Sequence, residues 1–92
     1  MVKVLIVDDN EQITSILAEY AKKEGYMPIV ATDGEEALQK FKNENPDILL
    51  LDVMMPKIDG FSVCRQIRKS SNVPIIMITA RGEDFEKIMG LE

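Results

Sequence analysis

The sequence predicts an α/β domain of the doubly wound kind, a parallel sheet with helices on both faces. Three observations predict it. Short aliphatic runs alternate four times with amphipathic stretches, the order produced by successive right-handed βαβ crossovers. The later runs, ILLL at Ile48–Leu51 and PIIMI at Pro74–Ile78, are apolar at consecutive positions, as strands covered on both faces are. Asp8 and Asp9, Asp52 and Thr79 stand at the carboxyl ends of the first, third and fourth runs, where open α/β sheets bind ligands.

The first run, KVLIV (Lys3–Val7), leads into Asp8 and Asp9. From Glu11 to Glu24, residues Ile13, Ile16, Leu17, Tyr20 and Ala21 recur at helical spacing and predict one apolar face, with Gly25 placed to end the helix. MPIVA (Met27–Ala31) reads as the second strand, and Pro28, which lacks an N–H, suits a strand start near a sheet edge. DGEEALQKFK (Asp33–Lys42) reads as a second helix capped by Asp33. Its first turn carries Glu35 and Glu36 and its last turn Lys40 and Lys42, the polarity that the helix dipole favours.

After NENP comes ILLLD, the third strand, which delivers Asp52 at its end. A third helix is expected over Gly60–Lys69, with Phe61, Cys64 and Ile67 facing inward and Arg65 and Arg68 outward. VPIIMIT (Val73–Thr79) is the fourth strand, and EDFEKIMGLE (Glu83–Glu92) opens a fourth helix. The chain shows no internal repeat, low-complexity tract or linker.

Composition narrows the function. A chain of 92 residues has room for one domain. Sixteen acids against 11 bases give a net charge of −5 with no basic block, which argues against this segment gripping nucleic acid or an anionic membrane by itself. Cys64 is the one cysteine, so no internal disulfide forms. The start is too short in apolar residues for a signal-peptide core, and no run approaches the ~18 of a membrane span. A cytoplasmic domain is expected.

If the first and third strands are neighbours, Asp8, Asp9 and Asp52 converge at one rim. Two charges ~4 Å apart repel by about 4 kcal/mol at an effective dielectric near 20, so such a cluster calls for a proton or a cation. With oxygen donors and no histidine, zinc and copper are disfavoured and a hard ion such as Mg2+ fits. Asp8 and Asp9 also have a plain reading, as a strand exit leading into a helix cap, and so does Asp52, as a turn residue. For Asp52 that reading is the weaker, because the next helix begins several residues later. Thr79 ends the fourth strand at the same rim, where a hydroxyl and the following N–H groups suit an anion, though a β-branched residue also finishes strands for reasons of propensity alone. Cys64 reads as a packed thiol and the six methionines as filler. A Ser-His triad is excluded by the absence of histidine.

Asp8–Asp9, the run DVMMPKIDG (Asp52–Gly60) and ITA (Ile78–Ala80) together resemble the receiver domain of two-component response regulators, most nearly those that precede winged-helix DNA-binding domains. The resemblance covers essentially every residue. It implies a flavodoxin-like receiver fold with strand order 2-1-3-4, and a signalling domain as opposed to an enzyme. It makes Asp52 the phosphoacceptor for a sensor histidine kinase. Mg2+, or Mn2+ in its place, would be held by Asp9, Asp52 and the Met54 backbone carbonyl, with Asp8 acting through water.

The Thr79 hydroxyl and the Ala80 N–H would bind phosphoryl oxygens. Pro56 and Gly60 would position the loop, and Met54 and Arg81 would set the lifetime of the phosphoryl group. Receivers run to roughly 120 residues. Residues 1–92 therefore read as the N-terminal three quarters of one. The fifth strand, the fifth helix and the phosphate-binding lysine are missing, and DNA would be reached only through an absent output domain. The fourth strand would then be an open edge, and homo-oligomers through that edge are expected. Two other readings stand beside this one. One is a magnesium-dependent phosphohydrolase, disfavoured because its nucleophile belongs after the first strand in a D-x-D arrangement. The other is a receiver fragment that takes no phosphate and acts only as a self-associating module.

Overall fold

The computed structural model describes residues 1–55, 58–78 and 89–91. Among the described residues eight elements are seen: β1 (Lys3–Val7), α1 (Glu11–Lys23), β2 (Met27–Ala31), α2 (Gly34–Glu44), β3 (Ile48–Asp52), α3 (Gly60–Arg68), β4 (Ile75–Ile78) and β5 (Met89–Leu91). Four strands run parallel in the order β2-β1-β3-β4, as the doubly wound expectation requires, and β5 adds to the β4 edge. Among the described residues no helix is long and apolar enough to cross a membrane.

Strand side chains alternate between the two faces of the sheet. Leu5, Val7, Ala31, Leu49, Leu51, Ile75 and Met77 form the floor on one face, and Ala37, Val63 and Ile67 from α2 and α3 close over it. Fully burying one such leucine is worth about 1.5–3 kcal/mol. A domain this size has a net stability of roughly 5–14 kcal/mol, so a few of these side chains decide whether it folds. On the opposite face Val4 and Ile6 are buried, whereas Ile48 and Leu50 stay half-buried beside Leu17 and Tyr20 of α1.

Each helix begins at a side-chain cap. Asn10 Oδ1 accepts from the N–H of Gln12 at 2.9 Å and of Ile13 at 3.4 Å. Asp33 Oδ1 accepts from the Glu36 N–H at 2.8 Å, while Glu36 Oε1 reaches back to the Thr32 N–H (2.8 Å) and hydroxyl (2.9 Å). Asp59 Oδ1 accepts from the Ser62 N–H at 2.8 Å. Caps of this kind contribute about 1 kcal/mol each and fix where each helix leaves the rim of the sheet.

The faces of α1 and α3 differ from the periodicity reading. In α1, Ile16 is 55% and Tyr20 63% exposed, while Thr14 and Ala21 are buried. Small residues let the helix approach the sheet closely, and the Thr14 hydroxyl loses little by burial because it donates to the Glu11 carbonyl at 3.0 Å. In α3 the buried stripe is Gly60, Val63 and Ile67; Cys64 is half-buried, and Phe61, one position off the stripe, is 45% exposed. Arg68 does not point outward: its Nη1 donates to the carbonyls of Ser71 (3.2 Å) and Val73 (2.6 Å) and ties down the α3–β4 connection. β4 begins at Ile75, because Pro74 has no N–H for the ladder and contributes only its carbonyl, which accepts from Leu49 at 3.0 Å.

The sheet edge also departs from expectation. Residues 89–91, read from the sequence as helical, pair antiparallel with β4 in the register Ile75↔Leu91, Ile76↔Gly90 and Met77↔Met89. The β4 edge is therefore paired within the chain, and the ground for oligomers through an open fourth strand falls away. A connection confined to residues 79–88 is shorter than the dozen or more that a parallel crossover needs, so the chain returns antiparallel. The remainder of the expected fourth helix lies outside the described residues.

These placements separate two substitutions. Leu49→Ala is expected to cost about 2–5 kcal/mol in urea denaturation. Phe61→Ala should cost under about 1 kcal/mol by the same measurement, whereas an inward Phe61 would cost several times that.

Candidate functional site

Parallel pairing of β1 with β3 sets the site. The register Val7↔Leu51 brings the carboxyl ends of the two strands level, so Asp8, the residue after β1, stands beside Asp52, the last residue of β3. Asp9 follows at the rim. One carboxylate oxygen from each of Asp8, Asp9 and Asp52 lies within 4.8 Å of the other two. Asp8 and Asp52 are buried, at 3% and 6% exposure, and Asp9 is open to solvent.

Backbone donors hold two of the carboxylates. The Asn10 N–H donates to Asp8 Oδ1 at 2.9 Å, and the Met54 N–H donates to Asp52 Oδ1 at 3.3 Å. Asn10 serves twice: its side chain caps α1 while its N–H steadies Asp8. Such a double use leaves no mark in sequence beyond the Asp-Asp-Asn order. Burial raises the Asp8 carboxyl above the ordinary aspartate range, the Asn10 N–H partly offsets this, and repulsion from Asp9 raises it further.

The chain leaving β3 folds back on itself at Gly60. The Gly60 N–H donates to the Val53 carbonyl at 3.0 Å, and a Cβ at position 60 would meet the Asp52 carbonyl oxygen and come within 2.9 Å of Val53 Cα. Only glycine allows that approach. On the far side, Asp52 pairs with Ile78 in the β3–β4 ladder and the Val53 N–H donates to the Ile78 carbonyl at 3.0 Å. Met54 is half-exposed at the rim. Pro56, Thr79, Ala80 and Arg81 lie outside the described residues.

The donor set fits a hard divalent cation. All three side chains offer carboxylate oxygen, the donor that hard divalent ions take, and these oxygens lie within 4.8 Å of one another. Cys64, half-buried on α3, is the one thiol, and the chain contains no histidine. A cation here would offset the repulsion among three carboxylates, two of them removed from water.

The sign of the pH effect follows from linkage. Asp8 holds its proton to higher pH in the folded chain than in the unfolded one, so its ionisation opposes folding. Without metal, its contribution should grow more favourable as pH falls through the raised folded value toward that of an unfolded aspartate. Asp8→Asn is accordingly expected to raise the Tm of the metal-free protein at pH 7 by roughly 2–6 °C. Mg2+ at 100 times its Kd should stabilise the parent by about 2.7 kcal/mol and the variant by much less. Calorimetry with and without Mg2+ checks both.

Comparison with known proteins gives the site a context. The family model for the response regulator receiver domain matches residues 4–92. The chain is 50% identical over 91 residues to the alkaline phosphatase synthesis transcriptional regulatory protein PhoP of Bacillus subtilis, covering 98% of this chain and 38% of that protein. It is 54% identical over 90 residues to the probable transcriptional regulator ycf27 of Guillardia theta, covering 98% of this chain and 35% of that one. The chain thus spans little more than a third of the length of these relatives.

Among solved structures, the response regulator TrrA of Thermotoga maritima, in complex with Mg(2+)-BeF, superposes with a TM-score of 0.85 at 40% identity, over 94% of this chain and 76% of that one. The BeF3-activated N-terminal receiver domain of Klebsiella pneumoniae RstA gives 0.83 at 31% identity, over 91% and 72%. With one family model matched from the first strand to the last residue and the fold shared with solved members, this chain belongs to the response regulator receiver domain family.

Proposed function

We propose that this chain is the phosphoacceptor portion of a transcription-controlling response regulator, and that Asp52 takes the phosphoryl group. One observation carries the reading: Asp52 ends a buried strand, held by the Met54 N–H, with its carboxylate within 4.8 Å of those of Asp8 and Asp9. A nucleophile at the end of a central strand is rigid, and phosphoryl transfer depends on in-line positioning and charge neutralisation more than on covalent assistance.

In the transfer, an Asp52 oxygen attacks the phosphorus of a phosphohistidine on a sensor histidine kinase. The O–P bond forms as the N–P bond breaks, and that bonding pair returns to the imidazole nitrogen. Asp9, Asp52 and the Met54 carbonyl would hold Mg2+, or Mn2+, with Asp8 acting through a water. The ion supplies neutralisation of charge on the phosphoryl oxygens. Thr79 and the Ala80 N–H receive phosphoryl oxygens, and Pro56 and Gly60 keep the loop in place. Met54 and Arg81 stand two residues beyond Asp52 and Thr79, and set how long the acyl phosphate survives attack by water.

Residues 1–92 correspond on this reading to the first three quarters of a receiver, in a cytoplasmic protein that reaches DNA through a separate output domain. The transcriptional regulators among the relatives, and the share of their length that the chain covers, support that placement.

Intact mass after incubation with acetyl phosphate and Mg2+ tests the proposal. One phosphoryl group on the parent and none on Asp52→Asn is the expected result. Chelating the metal should slow labelling by on the order of 100-fold or more, the scale of losing a preorganised charge-stabilising group. A parent that binds Mg2+ but takes no phosphate would overturn the phosphoacceptor reading for this chain and favour a pure interaction module.

A further inference from the structure

The loop after Asp52 is seated against two glycines, and one of them belongs to a helix that contributes nothing to the carboxylate cluster. Gly34 is the first residue of α2 and is buried. A Cβ at that position would lie 2.6 Å from the Ile58 carbonyl oxygen, 2.7 Å from Ile58 Cβ and 3.0 Å from Val63 Cγ2. The nearest obstacle is backbone, which cannot swing aside as the end of a long side chain can. Ile58 packs against the core cluster, and the next two residues are Asp59, the cap of α3, and Gly60, which rests on the Asp52 carbonyl and donates to Val53. A short path therefore joins the start of α2 to the backbone of the acceptor: Gly34, Ile58, Asp59, Gly60, Asp52.

We propose that Gly34 is a positioning residue for the metal and phosphoryl site: the bare face of α2 at this position sets how deeply the β3–α3 loop sits, and so where Asp52 and Met54 present their oxygens. The inference rests on the phosphoacceptor reading. α2 is the less yielding partner, since Asp33 caps it, Glu36 ties it back to Thr32 and Ala37 is locked in the core. An added methyl group at position 34 is expected to lift the loop and leave the helix in place. The helix alone would respond oppositely, because alanine is a better helix former than glycine.

Gly25 supplies the control. Its φ is +86°, and nothing lies within 4 Å of a Cβ placed there. Gly25→Ala strains the backbone at the end of α1 without touching the loop. Mn2+ titrations followed by water-proton relaxation, on the whole chain and at a temperature where circular dichroism shows all variants folded, give the test. Gly34→Ala is expected to weaken Mn2+ binding on the order of tenfold, the usual loss when a residue supporting the ligands is altered. Gly25→Ala should bind as the parent does although it is less stable.

Labelling by acetyl phosphate should fall with the affinity in Gly34→Ala. If that variant does not fold, Ile58→Ala takes its place, loosening the loop from the same side and leaving α2 intact, with the same expected weakening. Parental Mn2+ affinity in the folded variant would overturn the proposal. A parent that binds Mn2+ yet is never labelled would overturn the phosphoacceptor reading and leave Gly34 as a positioning residue for the metal ligands alone. A parent that binds no Mn2+ would overturn both.

Discussion

Parallel pairing of β1 with β3 is the constraint on which the rest of the molecule depends. Because Val7 pairs with Leu51, the exits of both strands come level, and two carboxylates that are far apart in sequence become neighbours with most of their water removed. The pairing is enforced from below. Leu5, Val7, Leu49 and Leu51 all reach the core on one face, and a slip of one residue would turn every one of them to the other side. Apolar burial in the middle of the sheet is thereby converted into a fixed distance between charges at its end.

That arrangement costs stability. Burial and the Asp9 charge both oppose ionisation of Asp8, and only the Asn10 N–H works in the other direction. A well-packed apolar pair in the same place would suit folding better, which is the usual relation between a reactive site and the scaffold that carries it. The strain is confined by its surroundings. Asn10 and Asp59 cap the helices that leave the rim, and Gly60 lets the returning chain lie directly on β3. The acids thus sit at the ends of rigid elements and not on long free loops, which fixes their distances from one another.

The opposite side of the sheet is built less tightly. Ile48 and Leu50 are half-buried there, and an apolar hollow of about 210 Å³ runs between them, Val4 and the Leu17–Tyr20 side of α1. Of the described helices, α2 and α3 close one face over a continuous core and α1 lies on the other. The short antiparallel β5 completes the hydrogen bonding of β4, where a bare edge would invite another chain.

The sequence by itself determined the parallel α/β order and the place of each acid at a strand end, because these rest on local signals, consecutive aliphatics and the run from Asp52 to Gly60. That Asp8 and Asp52 meet needed the β1–β3 pairing. The sequence also determined that the cluster offers oxygen donors and no imidazole, through the lack of histidine. Ala21 and Ile67 turn inward as their spacing predicts, but tertiary structure decided that Thr14 is buried while Ile16, Tyr20 and Phe61 stay exposed, since the apolar residues of α1 span a wider arc than the sheet can cover. It decided that Arg68 turns back to the α3–β4 connection, and that residues 89–91 pair with β4 as a strand. The approach of Gly34 to Ile58 was equally hidden, because a glycine needed for what a distant loop places against it reads in sequence like any other glycine at a helix start.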